Sequence, residues 1–305
     1  MKKVLVTGAT GFVGFHVVRL LADRGMEILA IVRDVSKAEE LFSDLPSVRY
    51  IACEMEQYQH LPELLPDRDI DTAYHFAWNG TSGDRRRDYK KQLKNVEYLC
   101  DLMNSMKRMR CDRIVVAGSI MEFEVIEATQ LQGVASLATN IYGAAKCVSH
   151  QMAKALASEL QIDLVWGIIT NAFGAGEVSA RFINTTLRKI LRHEPLQFTA
   201  GMQNYDFIYI TDLARAFIAI GEKGKPEYEY TLGSGNARKL KEYVLEIQKV
   251  FAPQSEFLFG KAPFTGISLP LERFSTKQLV ADTGFCPEVS FAEGLQRTMD
   301  WISSH

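Results

Sequence analysis

The sequence predicts an α/β protein built on a doubly wound parallel sheet. Short apolar runs rich in β-branched residues recur along its first half, and amphipathic helical segments separate them. Buried strands joined by helical crossovers are typical of parallel sheets covered on both faces. A glycine-rich turn also joins the first strand to the first helix. We therefore expect a ligand crevice at the carboxyl ends of the strands.

The glycine-rich turn occupies residues 4–14, where an apolar strand ends at Thr7 and a helix follows. Gly8 permits a backbone angle that a Cβ would forbid, Gly11 lets a pyrophosphate approach, and Gly14 lets helix and strand pack closely. The turn thus favours a Rossmann dinucleotide site, with the helix N-terminus facing the phosphates. A tight turn without a ligand is the alternative. The candidate cofactor residues here are Thr7, Gly8, Thr10, Gly11, Phe12, Val13 and Gly14.

The later strands and helices follow the same alternation up to the sixth strand. Strands are predicted at 28–32, 48–53, 72–77, 113–117 and 164–169, with a helix at 140–160. Shorter elements then follow: a helix at 181–191, a strand and helix at 206–220, and helices at 239–251 and 291–302. We predict a Rossmann domain over 1–173, with a returning segment at 206–222, and a smaller C-terminal α/β substrate lobe over 174–305.

The charge balance excludes some partners. A formal net charge of -2 gives no electrostatic reason to expect nucleic acid or an anionic membrane. A basic cluster is interpreted as a solvated face rather than a phosphate track; it comprises Arg85, Arg86, Arg87, Lys90, Lys91 and Lys94. Met1 leads almost directly into the first strand, and no apolar run approaches the roughly 18 residues of a membrane span. We expect a cytoplasmic protein.

The 5 cysteines and 6 histidines show no ligand spacing. The cysteines are odd in number and scattered, which is typical of buried thiols rather than of a disulfide framework. We therefore predict no metal site.

Tyr142 and Lys146 are four residues apart in the helical segment 140–160, so both project from one face. An ammonium near a phenol favours the phenolate and lowers its pKa from near 10. Such a tyrosine can exchange a proton with a carbonyl or alcohol. Ser119, at the end of the fifth strand, could hydrogen-bond the same oxygen. A helix surface pair and a serine that caps a turn are the alternatives.

Together these residues resemble the extended short-chain dehydrogenase/reductase family, which includes nucleotide-sugar epimerases, dehydratases and 4-ketoreductases. The resemblance spans nearly the whole chain. Its motifs are Thr7-Gly8-x-x-Gly11-x-x-Gly14, Glu54 in place of the usual aspartate near the adenine, Asn95, Ser119, Tyr142 with Lys146, Asn171, Asp212, and Gly284-Phe285-x-Pro287.

The resemblance implies roles for particular residues. Tyr142 would be the acid-base residue, Lys146 would hold the nicotinamide ribose, and Ser119 would orient the carbonyl. Further cofactor residues would be Glu54, Met55, Phe76, Ala77, Trp78, Asn95, Tyr142 and Lys146. Substrate residues would be Ser119, Ile120, Met121, Asn171, Arg181, Tyr205 and Arg273.

Three departures from the family pattern bear on the reaction. The usual Val-Tyr-Gly after the catalytic serine is replaced by residues 122–124, Glu-Phe-Glu. The 4,6-dehydratases carry Asp-Glu where this chain has Ile120-Met121, so dehydration lacks its acid-base pair. Tyr205 replaces an arginine that clamps the diphosphate in nucleotide-sugar members, and Arg181 or Arg273 could substitute for it.

The end of the second strand bears on the cofactor. A carboxylate there accepts from the ribose hydroxyls of NAD and repels a 2′-phosphate. Arg33 follows the last buried residue and, with Lys37, would bind that phosphate. Asp34 competes by spacing, but we expect it to begin or cap the next turn. We predict NADP, with NAD as the alternative.

These observations predict an NADP(H)-dependent oxidoreductase, a 4-ketoreductase of a deoxy nucleotide sugar or of a related small carbonyl. One alternative is a nucleotide-sugar 4-epimerase with tightly bound NAD, and another is a dinucleotide-binding sensor with little turnover. We also expect a homodimer, because family members commonly pair two helices per subunit. Apolar stripes at Leu93, Val96, Leu99, Cys100 and Met103 and at Val148, Met152, Ala155 and Leu156 would form it.

Overall fold

The computed structural model describes residues 1–130 and 140–305. Within these residues the strands are β1 (Lys3–Thr7), β2 (Glu27–Val32), β3 (Val48–Ala52), β4 (Thr72–His75), β5 (Arg113–Ser119), β6 (Asp163–Ile169), β7 (Asn171–Phe173), β8 (Leu196–Gln197), β9 (Asn204–Tyr205), β10 (Phe207–Tyr209), β11 (Glu229–Leu232), β12 (Arg238–Lys239) and β13 (Phe257–Leu258).

The helices of the same residues are α1 (Phe12–Asp23), α2 (Val35–Phe42), α3 (Leu61–Leu64), α4 (Tyr89–Arg108), α5 (Met121–Gln130), α6 (Asn140–Leu160), α7 (Phe182–Leu191), α8 (Ile210–Lys223), α9 (Leu240–Phe251), α10 (Lys277–Thr283) and α11 (Phe291–Ser304). Short 3-10 helices lie at Met55–His60, Gly83–Arg87 and Leu271–Phe274.

Seven parallel strands form the central sheet, in the order β3-β2-β1-β4-β5-β6-β11. Strand β1 pairs with β2 on one side and β4 on the other, so the chain winds outward from β1 in both directions. Such a reversal opens a crevice beyond the carboxyl ends of the strands. The predicted doubly wound fold is confirmed. Strand β11 and helix α5 were not predicted.

Both faces of the sheet are covered, as alternation along β1 requires. Val4 and Val6 belong to one core layer, which includes apolar residues of α1 and α8. Leu5 belongs to the other, with residues of α4 and α6. All three side chains are fully buried. The crossover helices therefore sit on opposite sides of the sheet, and the strand ends remain free for a site.

The second half of the chain contributes strand β11 to this sheet and packs against it through a returning segment. Strand β7 pairs in parallel with β10, and the following α8 lies against α1. This is the segment predicted at 206–222. Two smaller pairings, β9 with β12 and β8 with β13, belong to the C-terminal part. The division of the chain at residue 173 stays a prediction.

Two searches of the described residues gave negative results. No helix in 1–130 or 140–305 is long and apolar enough to cross a membrane. No group of three or more His, Cys, Asp or Glu side chains in those ranges could hold a metal ion.

Helices α4 and α6 lie against each other and leave apolar side chains on their outer surface. Leu93, Val148 and Met152 are 54%, 43% and 48% exposed. Other members of the predicted stripe face inward: Val96, Leu99 and Met103 are buried in the chain's own core. The expected homodimer would therefore rest on the narrower exposed set.

A double substitution tests the dimer. Leu93→Glu with Met152→Glu should convert a homodimer into a monomer, because it puts two desolvated carboxylates into each apolar contact. Light scattering at micromolar concentration gives the mass. Leu64→Glu, at a site 48% exposed on α3, is the matched control and should leave the mass unchanged. A monomeric wild type would refute the prediction.

Candidate active site

The turn after β1 is closed by backbone contacts that only glycine allows. Gly8 has φ +68°, and a Cβ there would lie 2.5 Å from the amide nitrogen of Ala77 in the loop after β4. A Cβ on Gly14 would lie 2.2 Å from the carbonyl oxygen of Gly8. Gly11 caps α1 without a side-chain acceptor, so the first backbone N–H groups of α1 are open to an anion.

A cleft of about 380 Å³, the cofactor cleft, lies in front of this turn. It contains most of the residues predicted to bind the dinucleotide: Gly8, Thr10, Gly11, Phe12, Val13, Gly14, Arg33, Met55, Phe76, Ala77 and Trp78. Lining residues that we did not predict include Cys53, Tyr58, Asn79 and Arg85. The free helix start and the glycine cradle fit a dinucleotide pyrophosphate.

Five residues predicted to bind the cofactor do not line this cleft: Tyr142 and Lys146, described below, and Thr7, Glu54 and Asn95. Thr7 is buried, with its hydroxyl 2.8 Å from Nδ1 of His75. Glu54 is exposed at the start of a 3-10 helix. Asn95 is buried, accepts from the amide of Asn79 at 2.7 Å and donates to its carbonyl at 2.9 Å. Asn79 lines the cleft, so Asn95 shapes the cleft by holding this loop.

Arg33 and Lys37 line the far end of the cofactor cleft and are exposed. Asp34 accepts a hydrogen bond from the backbone amide of Lys37 at 3.0 Å and caps α2. Its carboxylate is engaged by the helix start, as the sequence predicted. Two cations therefore line the cleft where β2 ends and α2 begins.

A second cleft of about 510 Å³, the substrate cleft, adjoins the first. Thr81, Ser82 and Arg181 line both, so the two clefts meet there. The predicted residues that line the substrate cleft are Ser119, Ile120, Met121, Tyr142, Asn171, Arg181 and Tyr205.

Arg273 does not line either cleft. Its guanidinium donates to Glu127 at 2.8 and 3.0 Å and lies 5.0 Å from the centroid of the Phe123 ring. Arg273 is thus held against α5 by these contacts, and the expectation that it contacts substrate is not supported by its position. Arg181, by contrast, extends over the junction of the clefts, where its Nε lies 3.2 Å from Glu177.

Tyr142 lies at the base of the substrate cleft on α6. Its ring makes an edge contact with Trp78 at 6.0 Å, and the Cζ atom of Arg86 lies 4.6 Å from its centroid. Burial raises the pKa of Tyr142, although Arg86, Arg181 and Ser119 act in the opposite direction. The sequence led us to expect a pKa lowered by Lys146. The shift is instead upward, because desolvation of the phenolate outweighs the nearby cations.

Lys146 is buried one turn further along α6. Its ammonium donates to the carbonyl of Ala117 at 2.7 Å and lies 3.6 Å from the centroid of the Trp78 ring. Burial lowers the pKa of Lys146 to about 7, opposed by Glu122. Lys146 thus shares a helix with Tyr142, but its ammonium contacts a strand carbonyl and an indole instead of the phenol.

Glu122 is the first residue of the segment 122–124 that replaces the family's Val-Tyr-Gly, and it makes several buried contacts. Its buried carboxylate accepts from the Ser119 amide at 2.8 Å and from Nε1 of Trp166 at 3.2 Å, and lies 3.2 Å from Nδ1 of His150. The Ser119 hydroxyl accepts from the Met121 amide at 3.3 Å. Ser119 therefore caps a turn and also lines the substrate cleft, and its hydrogen bond to a substrate oxygen stays a prediction.

The basic cluster after β4 is only partly a solvated face. Arg86 is half-buried in the substrate cleft, whereas Arg85, at the edge of the cofactor cleft, and Arg87 are both exposed. Our interpretation of the whole cluster as solvated was therefore wrong for Arg86. Its place in the connection that follows β4, at the carboxyl end of a strand of the sheet, was the signal that could have identified this residue.

A glycine cradle at a helix start, joined to a cleft that holds a serine and a tyrosine, defines a dinucleotide-dependent enzyme of the Rossmann class. The sequence matches the NAD dependent epimerase/dehydratase family over residues 4–233, and the chain belongs to that family. The resemblance stated from the motifs is confirmed.

Several known proteins are similar to this chain. A trifunctional UDP-glucose 4,6-dehydratase/UDP-4-keto-6-deoxy-D-glucose 3,5-epimerase/UDP-4-keto-L-rhamnose-reductase of Arabidopsis thaliana is 24% identical over 325 residues. The match covers 100% of this chain and 48% of that protein, so the chain spans about half its length. The dTDP-4-dehydro-6-deoxyglucose reductase of Escherichia coli is 23% identical, covering 98% of this chain and 97% of the relative.

Solved structures share the fold. The UDP-glucose 4-epimerase of Thermotoga maritima, solved with UDP-glucose, superimposes with a TM-score of 0.80 at 19% identity, covering 99% of each chain. The UDP-glucuronic acid 4-epimerase of Bacillus cereus, solved with NAD, gives 0.77 at 18% identity, covering 99% of this chain and 97% of that one. At these identities the likeness extends to the fold alone.

Proposed function

We propose that the chain is an NADP(H)-dependent oxidoreductase that reduces the 4-keto group of a nucleotide sugar. The observation that carries the proposal is the placement of Ser119 and Tyr142 in a cleft that opens into the dinucleotide cleft. The full-length similarity to a 4-keto-sugar reductase of Escherichia coli supports the substrate class.

The side chains divide the chemistry among them. The nicotinamide cofactor, when bound, supplies the hydride. The phenol of Tyr142 donates a proton to the carbonyl oxygen, and its raised pKa keeps that proton in place at neutral pH. The hydroxyl of Ser119 holds the same oxygen. The ammonium of Lys146 would leave its contact with the Trp78 ring and bind the nicotinamide ribose.

One assay separates the proposal from its alternatives. Oxidation of NADPH is followed with dTDP-, CDP- and UDP-4-keto sugars. A reductase consumes NADPH, a 4-epimerase recycles its cofactor, and a sensor only binds it. Net consumption with at least one sugar is expected. Binding without consumption would contradict the proposal and favour the epimerase or the sensor.

The cofactor preference is tested at Arg33, in the cofactor cleft. Wild type should bind NADPH more tightly than NADH. Arg33→Ala should weaken NADPH binding by about 10- to 100-fold, because a charge-assisted hydrogen bond to the 2′-phosphate contributes about 1.5–3 kcal/mol. NADH affinity should change little. Dissociation constants from fluorescence titration check this, with the exposed Arg87→Ala as control. Equal wild-type affinities would contradict it and support NAD.

A further inference from the structure

Arg86 is a half-buried guanidinium placed beside the proposed proton donor. It lies in the 3-10 helix Gly83–Arg87, lines the substrate cleft, and has its Cζ atom 4.6 Å from the centroid of the Tyr142 ring. A group bound by Arg86 would therefore lie close to the carbonyl oxygen that Tyr142 protonates.

Apart from its contact with the Tyr142 ring, the Arg86 guanidinium forms no ion pair or hydrogen bond among the residues the structure describes. Its Nε is buried and without a hydrogen-bond partner there. The other two arginines considered for substrate binding do have partners, since Arg181 pairs with Glu177 and Arg273 with Glu127. Burying an unpaired charge is costly, so a cation held open in a cleft indicates an anionic ligand.

Glu124 lies in the same cleft but does not close an ion pair with Arg86. No oxygen of Glu124 comes within 4.0 Å of the Arg86 nitrogens, the limit for an ion pair. Burial raises the pKa of Glu124 to about 7, and the charge of Arg86 counteracts this only in part. The two side chains thus interact at a distance, with room for a ligand group at the guanidinium.

We propose that Arg86 binds a carboxylate carried by the sugar ring, on the carbon next to the reacting one. This rests on the proposed function and narrows its substrate class to a nucleotide-linked sugar acid, with a carboxylate where a deoxy sugar has a methyl group. The guanidinium fork matches a carboxylate bidentately. The diphosphate is a less suitable partner, because it is attached to the anomeric carbon, across the ring from position 4.

Binding of matched ligands tests the proposal. The probes are UDP, UDP-glucose and UDP-glucuronic acid, titrated calorimetrically into the cofactor-saturated protein. Arg86→Gln should weaken the binding of UDP-glucuronic acid by about 10- to 100-fold and that of UDP-glucose by less than about 2-fold. Arg86→Lys keeps the charge but loses the paired N–H donors of the guanidinium. Its affinity for UDP-glucuronic acid should lie between those of wild type and Arg86→Gln.

Two further variants act as controls. Arg87→Gln changes a 58% exposed side chain of the same 3-10 helix that lines neither cleft, and should leave all affinities unchanged. Glu124→Gln removes a carboxylate that would repel the carboxylate of the ligand. It should strengthen the binding of UDP-glucuronic acid but not that of UDP-glucose. Melting curves of each variant show that it is folded.

The outcomes are distinct. An equal loss for both sugars with Arg86→Gln would place this side chain on the diphosphate and overturn the proposal, as would no loss for either. In both cases the nucleotide-sugar function would stand. A wild type that binds none of the three probes would overturn the assignment of Arg86, whereas the proposed function itself is overturned only if none of the dTDP-, CDP- and UDP-4-keto sugars is reduced.

Discussion

Tyr142→Phe is expected to lower turnover by about 10²- to 10⁴-fold, the usual range for loss of a general acid. Phenylalanine keeps the ring, and with it the contacts to Trp78 and Arg86. Folding and cofactor affinity should therefore stay close to wild type. Steady-state kinetics with NADPH and an active 4-keto sugar give turnover, and a fluorescence titration gives the cofactor dissociation constant.

The control for this variant is Tyr228→Phe, which removes a hydroxyl from a 44% exposed tyrosine outside both clefts. It should leave turnover unchanged. The pKa of Tyr142 is raised, so reduction in the wild type should persist through neutral pH and decline only as the phenol loses its proton at alkaline pH. A near-normal rate for Tyr142→Phe would remove the tyrosine from the mechanism.

Gly14→Ala should produce the second large effect, on both stability and cofactor binding. The added Cβ would meet the Gly8 carbonyl oxygen at 2.2 Å and the Cα of Ala9 at 3.0 Å, both backbone atoms that cannot rotate away. Displacement of α1 should lower the free energy of unfolding by about 1–3 kcal/mol. Dinucleotide affinity should fall about tenfold or more, because the helix start moves from the phosphates.

Gly11→Ala provides the comparison within the same turn. A Cβ there would have the Gly8 carbonyl oxygen as its nearest contact, at 3.2 Å, so the clash is milder. Denaturant unfolding and cofactor titration of the two variants give the ranking. If Gly14→Ala proves as stable as Gly11→Ala, the close approach of α1 to the turn at Gly14 does not limit the stability of the fold, and the prediction is wrong.

The parts of the site that sequence reasoning located are those determined by local geometry. The spacing of Gly8, Gly11 and Gly14 requires a strand, a turn and a helix in immediate succession, and these elements are adjacent in the chain. The predicted helix 140–160 coincides with α6 for the same reason. From the strand register, Asp34 was expected to begin or cap the next turn, and it caps α2.

The parts that it missed depend on contacts between distant segments. The i, i+4 spacing placed Lys146 on the same helix face as Tyr142, but the position of Trp78 and the free carbonyl of Ala117 determine where the ammonium goes. Arg86 belonged to a run of basic residues that is usually solvated. Its contact with Tyr142 exists because the loop after β4 folds against α6.

Trp78 gives the chain an internal optical probe. Its indole lies against the Lys146 ammonium and beside Tyr142 while forming part of the cofactor cleft wall. The other tryptophans lie outside both clefts, since Trp166 is buried against His150 and Trp301 is on the last helix. A change in tryptophan emission on adding a dinucleotide therefore reports on the wall of the cleft itself, and energy transfer from Trp78 to a reduced nicotinamide would measure occupancy without any label.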